Sequence, residues 1–319
     1  MQAIVQNGYG SADVLRMAEI DRPAIAGNEV LVRVRAAGVD RGVWHFMAGK
    51  PYAARLALGR PKNRVAGMDL AGTVVAVGGD VTRFAVGDEV FGVGKGSFAE
   101  YAAARENKLA HKPARLSFEQ AAVIAVSGVT ALQGVRDAGR VRAGQRVLVI
   151  GASGGVGTYA VQLAKVFGAE VTGVCTTAKV DLVRSIGADN VLDYTKADFA
   201  DGSGHYDVVM DIGGLSSFSR LRRALTPRGT LVITGGEGGG TWLGVGRPFH
   251  ALALSPFVRQ RLTAFIAQQR YPDMETLHGL IEAGRVTPAI GATYPLAEAP
   301  EALRQLEAGQ ARGKIAIKI

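Results

Sequence analysis

Along the first third of the chain apolar and polar positions alternate with period two, with Val30, Val32 and Val34 set against Leu31, Arg33 and Arg35. AAGVD at 36–40 follows, and then TVVAVGGDVTRFAVGDEVFGVG at 73–94. Period two sends successive side chains to opposite faces, and glycine-rich breaks close each run, so this region predicts short strands in a mostly antiparallel β unit with few long helices. From about Ser117 the texture changes. Apolar helical stretches now alternate with RVLVI, AEVTGVC, YDVVMDI and GTLVITG, each ending at glycine or a polar turn. Strands alternating with helices predict a parallel α/β sheet. After a last strand near RLTAFIAQQ, a helix-like DMETLHGLIEAG leads to VTPAI, TYPL, EAPEALRQLEAG and KIAIKI, a return to the β-rich unit. The expected division is a β domain over 1–120, completed by 271–319, and an α/β domain over 121–270. With no repeat, low-complexity segment or flexible linker between them, the two are expected to share a tight cleft.

Composition narrows the class. At roughly 150 residues per domain, 319 residues are enough for two cores or one core with a large attachment, and 48% hydrophobic with 20% charged residues exclude a disordered chain. The 43 glycines have no three-residue period, so they serve turns and not a collagen helix. One cysteine cannot form an intramolecular disulfide, and MQAIVQNGYGSADVLRM lacks the basic start and apolar core of a secretory signal. A cytoplasmic location is expected. The longest apolar stretch, Ala121 to Val135, contains Ser127, Gly128, Thr130, Gln133 and Gly134 and falls short of the roughly 20 residues that cross a bilayer. No membrane span is expected. The net charge of +9 is scattered, with RLRR at 220–223 the only dense cluster and no interleaved aromatics, so nucleic acid is not an expected partner. Such a surface also attracts anionic cofactors.

The strongest local signal is RVLVIGASGGVG at 146–157. Val147 to Ile150 is a continuous apolar run, as a strand buried on both faces requires. Val156, Ala160, Leu163 and Phe167 then mark a helical stripe, Gly168 suits the position past its end, and Glu170 to Cys175 is a second strand. Strand, glycine loop, helix and strand are the context of a dinucleotide fingerprint, in which glycines permit the turn and close approach to a pyrophosphate held by the helix N-terminus. Gly151, Ser153, Gly154, Gly155, Val156 and Gly157 are the candidate pyrophosphate residues. The bland alternative is a strand-to-helix turn that needs glycine only for its backbone angles. At the end of the second strand NAD sites place an acid on the ribose. Here the chain reads Val-Cys-Thr-Thr-Ala-Lys at 174–179, and the first acid, Asp181, is expected inside the next helix. Thr176, Thr177 and Lys179 could hold a 2′-phosphate that a carboxylate would repel; alternatively, Lys179 is a solvated helix-start residue.

AAGVD at 36–40, GMDLAGTVVAVGGDVTRFAVGDEVFG at 67–92, GSFAEY at 96–101, AAVIAVSGVTALQGV at 121–135, GASGGVG at 151–157 and RGKIAIKI at 312–319 follow in order along nearly the whole chain. In these motifs the chain resembles the zinc-independent quinone oxidoreductase-like branch of the medium-chain dehydrogenase/reductase superfamily. The resemblance implies a GroES-like, mostly β catalytic domain and a Rossmann parallel-sheet coenzyme domain, with the active site between them. It further implies that Thr130 lies beside the nicotinamide, that Thr234, Gly235 and Gly236 offer backbone groups to the carboxamide, that Lys179 and Tyr194 contact the 2′-phosphate of NADPH, and that the protein is a homodimer joined near Leu262 to Ile266. Without the resemblance, Tyr194 reads equally as a packing residue after a short strand.

Zinc-dependent relatives place cysteine near Asp40 and a His-Glu pair near Met68-Asp69. The single cysteine here is Cys175, expected as a buried strand residue, and the histidines at 45, 111, 205, 250 and 278 show no ligand spacing, so no zinc site is expected. Without a Lewis acid, an isolated carbonyl or alcohol is a poor partner for hydride chemistry, whereas a conjugated acceptor passes the negative charge to an oxygen that hydrogen bonds can stabilise. The expected function is therefore NADPH-dependent hydride transfer to quinones or α,β-unsaturated carbonyl compounds. An alcohol dehydrogenase or ketone reductase of the same fold, and a non-catalytic NADPH-binding protein, are the alternatives. Asp40, Tyr52 and Thr130 are the catalytic candidates, with Trp44 and His45 beside them. Asp40 also reads as a turn or helix-capping aspartate, Tyr52 as a packed loop aromatic, and His45 as a helix-surface residue. The acceptor pocket is expected to depend on the loops 44–64 and 237–256.

Overall fold

The computed structural model describes residues 1–52, 55, 65–202, 204–234, 251, 255 and 258–319. Two units emerge: Met1–Val129 with Gln268–Gly284 and Pro288–Ile319, and Thr130–Ala267 with Arg285–Thr287.

In the first unit the period-two texture becomes antiparallel strands. β1 (Gln2–Gln6) pairs with β2 (Leu15–Glu19). β3 (Glu29–Val39) turns Val30, Val32 and Val34 inward, while Arg33 and Arg35 are exposed. Helix α1 (Arg41–Ala48) follows it directly. β4 (Asp69–Val77) runs antiparallel to β3, β5 (Glu89–Val93) to β4, β6 (Tyr101–Arg105) to β3, and β7 (Leu109–His111) to β5. The valines of β3 pack with Leu70, Val74, Val90 and Leu109 in one apolar core. Near Ser117, where the texture changes, the Ser117 hydroxyl accepts from the Gln120 N–H and the Gln120 side chain accepts from the Ser117 N–H, a reciprocal cap that starts helix α2 (Phe118–Ala121). Helix α3 (Ala125–Gln133) follows and passes from the first unit into the second between Val129 and Thr130.

The second unit is the parallel α/β sheet. Its elements are β8 (Arg146–Ile150), α4 (Gly155–Val166), β9 (Glu170–Cys175), α5 (Val180–Ser185), β10 (Asn190–Asp193), β11 (Tyr206–Asp211), α6 (Phe218–Arg223), β12 (Leu225–Ile233) and β13 (Arg261–Ala264). The strand order is β10-β9-β8-β11-β12-β13, each neighbouring pair parallel. Val147, Leu148 and Val149 on central β8 are fully buried, as covering both faces demands. Helix α4 is buried more widely than its stripe predicts. Tyr159, Val161 and Ala164 are as inaccessible as Ala160 and Leu163, whereas Val156 and Phe167 at the two ends are half-buried. Gly168 ends it with φ +82°, a backbone that side chains resist. The RLRR cluster is structural in two of its arginines: Arg220 pairs with Asp198 at 2.7 Å, and Arg222 donates to Gln260.

The remaining chain is α7 (Tyr271–Glu282), β14 (Ile290–Pro295), α8 (Ala299–Glu307) and β15 (Lys314–Lys318). β15 runs antiparallel to β3, setting Ala316 opposite Gly38 and Ile315 opposite Val39, and parallel to β14. The first unit is thus closed by the last strand of the chain. Between α7 and β14, residues Arg285–Thr287 belong to the second unit, where the buried Gln162 of α4 donates to the Thr287 carbonyl and accepts from its N–H.

Candidate active site

The glycine loop of the second unit joins β8 to α4. The Gly151 and Ala152 N–H groups both donate to the Val174 carbonyl at the end of β9, and Gly151 holds φ +85°. A Cβ on Gly157 would stand 2.1 Å from the Gly151 carbonyl oxygen, so only glycine lets the helix enter this close to the strand end. Gly154 caps α4 without a side chain, and Ser153 is buried beside it. The first-turn N–H groups of a helix have no partner within it, and over 12 residues their dipoles add, so the Gly155, Val156 and Gly157 end of α4 is an anion cradle. These residues fit the pyrophosphate of a dinucleotide.

Pairing of β10 with β9 sets Asp193 opposite Cys175, and the Tyr194 N–H donates to the Cys175 carbonyl at 3.1 Å. Tyr194, which is exposed and therefore not a packing residue, comes to the strand end that carries Thr176, Thr177 and Lys179. Asp181 lies inside α5, as the spacing predicts. The expectation that this corner holds no carboxylate is corrected: Asp193 arrives from β10. It accepts from the hydroxyls of Thr177 and Thr195, and these bonds hold its carboxyl down to about 2, with the Lys196 ammonium 3.7 Å away. The Thr177 hydroxyl hydrogen is spent on Asp193. Asp193 escaped the sequence reading because the search for a ribose acid followed β9, whereas the acid sits on the neighbouring strand, 18 residues on from Cys175. Cys175 itself is buried, and burial pushes its thiol up.

Thr130 stands half-buried on α3, and Thr234 follows β12 with its N–H and hydroxyl on the Asp211 carbonyl. Gly235 and Gly236 lie outside the described residues, as do most of the loops 44–64 and 237–256.

In the first unit Asp40 caps α1, its Oδ1 accepting from the Val43 N–H at 3.2 Å. The capping role is real, yet the residue is only 6% exposed and its Oδ2 has no hydrogen-bond partner among the described residues. The same holds for Nε1 of Trp44 and Nδ1 of His45, whose rings meet edge to face. His45 is half-buried and not the surface residue expected; Phe46 takes that place. A buried polar atom without a partner is costly in a folded chain. Three of them lie within two turns of one helix. Tyr52 is half-buried, with the Arg55 guanidinium 4.7 Å from its ring.

Behind Asp40 lies a group that the sequence reading did not assemble. Asp69 at the start of β4, Lys314 at the start of β15 and Ser127 on α3 are each at most 2% exposed. Lys314 donates to Ser127 Oγ at 3.1 Å and stands 3.7 Å from Asp69 Oδ2, while Asp69 Oδ1 accepts from the Val126 N–H at 2.9 Å. Burial pushes the Asp69 carboxyl up to about 8, the Lys314 ammonium pulling it down and the Asp40 charge adding to the rise. Lys314 is too far for a direct hydrogen bond to Asp69, so its attraction offsets only part of the loss of water. The available signal was a charge inside an apolar stretch, at Asp69 in GMDLAG and at Lys314 in KIAIKI.

Zinc does not fit here. Asp69 faces an ammonium, which repels a second cation, Asp40 is engaged in capping, and Met68 replaces a nitrogen or carboxylate ligand. Among the described residues no three His, Cys, Asp or Glu side chains gather to hold a metal.

Residues 26–114 match the alcohol dehydrogenase GroES-like domain family, and residues 186–317 match a family described as zinc-binding dehydrogenase. The chain is 34% identical over 336 residues to an NADPH-dependent alkenal/one oxidoreductase of Arabidopsis thaliana chloroplasts, covering 99% of this chain and 79% of the relative. It is 31% identical over 333 residues to a chloroplastic quinone-oxidoreductase homolog of Spinacia oleracea, covering 100% and 98%. Among solved structures, the Escherichia coli quinone oxidoreductase complexed with NADPH superposes with a TM-score of 0.86 at 25% identity, with both chains fully covered.

Proposed function

We propose, for a chain that belongs to the quinone oxidoreductase-like branch of the medium-chain dehydrogenase/reductase superfamily, that it is an NADPH-dependent reductase of quinones or α,β-unsaturated carbonyl compounds. The observation that carries this reading is the Gly151 to Gly157 loop, where a Cβ on Gly157 has no room and the N-terminus of α4 has no side-chain cap among the described residues.

NADPH bound there supplies the hydride. Gly151, Ser153, Gly154, Gly155, Val156 and Gly157 hold its pyrophosphate through backbone N–H groups. Thr176, Lys179 and Tyr194 hold the 2′-phosphate, Lys179 through a charge-assisted bond and Tyr194 through its phenol. Thr177 joins them only when its hydroxyl leaves Asp193. Thr130 sits beside the nicotinamide, with the backbone of Thr234, Gly235 and Gly236 on the carboxamide. The role of Asp40 and Tyr52 is to place a proton on the reduced acceptor, and the unpartnered Trp44 Nε1–H and His45 Nδ1 receive the oxygen on which negative charge develops. These donors replace a metal ion, which favours conjugated acceptors over simple ketones and alcohols. Asp193 favours a second reading of the coenzyme, in which its charge weakens the preference for the 2′-phosphate and NADH is also used.

Supporting a homodimer, β13 is an edge strand among the described residues, paired only with β12, and Ile266 beyond it is 92% exposed. No helix among the described residues is long and apolar enough to cross a membrane, and the cytoplasm is the proposed location.

The test is optical. NADPH oxidation is followed with an enone, its saturated ketone, a quinone and a simple alcohol. The enone should have a kcat/KM at least a hundredfold above that of the ketone; equal values would favour a ketone reductase, and no turnover with any acceptor a binding protein.

A further inference from the structure

The strand geometry places two carboxylates as diagonal neighbours on one face of the sheet. Asp69 is the ladder partner of Gly38, and Asp40 lies two residues further along the same extended chain, with φ −142° and ψ 168°, so Gly38 and Asp40 share a face. Gly38 contributes no side chain, and a Cβ there would stand 3.1 Å from Asp69 Oδ2. The Asp69 carboxyl therefore lies over Gly38. Among the described residues, each of the two carboxyls keeps one buried oxygen, Oδ2, without a hydrogen-bond partner. Among the same residues the charge count does not close: of the two buried carboxyls only Asp69 faces a buried ammonium, that of Lys314. A second buried negative charge is expensive unless something neutralises it.

We propose that Asp69 carries a retained proton that it passes to Asp40, with Lys314 and Ser127 as positioning residues, so that the first unit holds a buried proton relay ending at the head of α1. The proposal rests on the reductase reading, because hydride transfer to a conjugated acceptor consumes one proton. The Asp69 proton moves through an intervening water to the Asp40 carboxylate, because the two Oδ2 atoms are not in hydrogen-bond contact with each other. The acceptor then gains a carbon–hydrogen or oxygen–hydrogen bond as the new Asp40 O–H bond breaks and its electron pair stays on Asp40, and a proton from solvent restores Asp69. No electron is gained or lost in the relay.

The charged groups facing Asp69 are Lys314 from β15 and Asp40 from the head of α1. Helix α3 presents the Ser127 hydroxyl and the Val126 N–H, and the ladder partners Gly38 of β3 and Val93 of β5 bring no charge. On α1 beyond Asp40, Arg41 lies 5.6 Å from the Trp44 ring and His45 packs on the same ring.

The experiment is a carbon-13 NMR titration of the protein labelled at aspartate carboxyls, without coenzyme or acceptor, beside the pH profile of enone reduction. One carboxyl should titrate far above the other aspartates in the wild type. Its signal should vanish in Asp69→Asn, move to lower pH in Asp40→Asn and move to higher pH in Lys314→Met. If every aspartate titrates in the ordinary range, the retained proton does not exist, and this wild-type result stands whether or not the variants fold. For turnover, Asp69→Asn should lower kcat about tenfold or more, leave KM nearly unchanged and displace the alkaline limb, whereas a merely structural residue leaves that limb in place. A titrating Asp69 with superimposable pH profiles would overturn the relay. Absence of turnover with any acceptor would overturn the reductase reading and the relay with it, and the titration tells that failure apart from a missing proton.

Discussion

Lys179 and Asp193 bring opposite charges to one strand end, and in the proposed coenzyme site the choice between NADPH and NADH turns on which of them governs the 2′-phosphate. A charge-assisted hydrogen bond contributes about 1.5 to 3 kcal/mol, so Lys179→Ala should weaken NADPH binding by about one to two powers of ten and leave NADH nearly unchanged. Asp193→Asn works the other way. It removes a carboxylate and frees the Thr177 hydroxyl to donate to phosphate, so NADPH should bind several-fold tighter. Fluorescence titration of both coenzymes against wild type and the two variants measures all four effects. An equal loss of both coenzymes in Lys179→Ala would falsify the assignment of that lysine. The contrast also shows what the linear sequence hides. Lys179 was legible because it follows β9 directly, whereas Asp193 enters only through the pairing of β10 with β9, a neighbour relation that no local pattern encodes.

At the scale of elements, the parts easiest to read were those in which one residue type has a single physical use. The β8–α4–β9 unit was legible because apolar continuity, glycines with no room for a Cβ and a helical stripe all agree. The reciprocal cap at Ser117 likewise marks where helices begin. Helix α1 and its buried polar atoms were not legible. Asp40 satisfied a capping pattern that exhausts its meaning in sequence, and its second oxygen is seen to be unpartnered only once β4 and β15 are folded against β3. Nor was the attachment of Arg285–Thr287 to α4. There the side-chain amide of Gln162 bonds both the N–H and the carbonyl of Thr287, at 2.8 and 3.0 Å, and also the Thr158 carbonyl. Gln162→Ala removes both part-buried bonds to Thr287 and should cost about 1 kcal/mol, read as a lower urea midpoint with an unchanged m-value. Gln162→Glu should cost more, because it turns a donor into an acceptor facing two carbonyls.

For the whole molecule, Asp69 ties stability to pH in a direction opposite to that of five other carboxylates. Asp13, Glu29, Asp189, Asp193 and Asp198 are all held below their ordinary range by hydrogen bonds and neighbouring cations. The stability they contribute is present above the carboxylate range and is lost as the solution is acidified through their folded-state values. Asp69 is raised, from 3.8 to about 8, chiefly because burial disfavours its charge. Between these two values the folded chain keeps a proton that the unfolded chain has released. Stability must then fall as pH rises across that window, with the loss complete once the folded carboxyl ionises. The two trends bracket a maximum on the mildly acidic side of neutrality. The urea midpoint should therefore decline from about pH 5 to about pH 8 in the wild type, level off above that, and vary far less in Asp69→Asn, which keeps the shape of the acid and cannot ionise. A wild-type midpoint that is flat over that range, or a slope that persists in Asp69→Asn, would assign the alkaline sensitivity to other groups and leave Asp69 an ordinary ion-pair partner of Lys314.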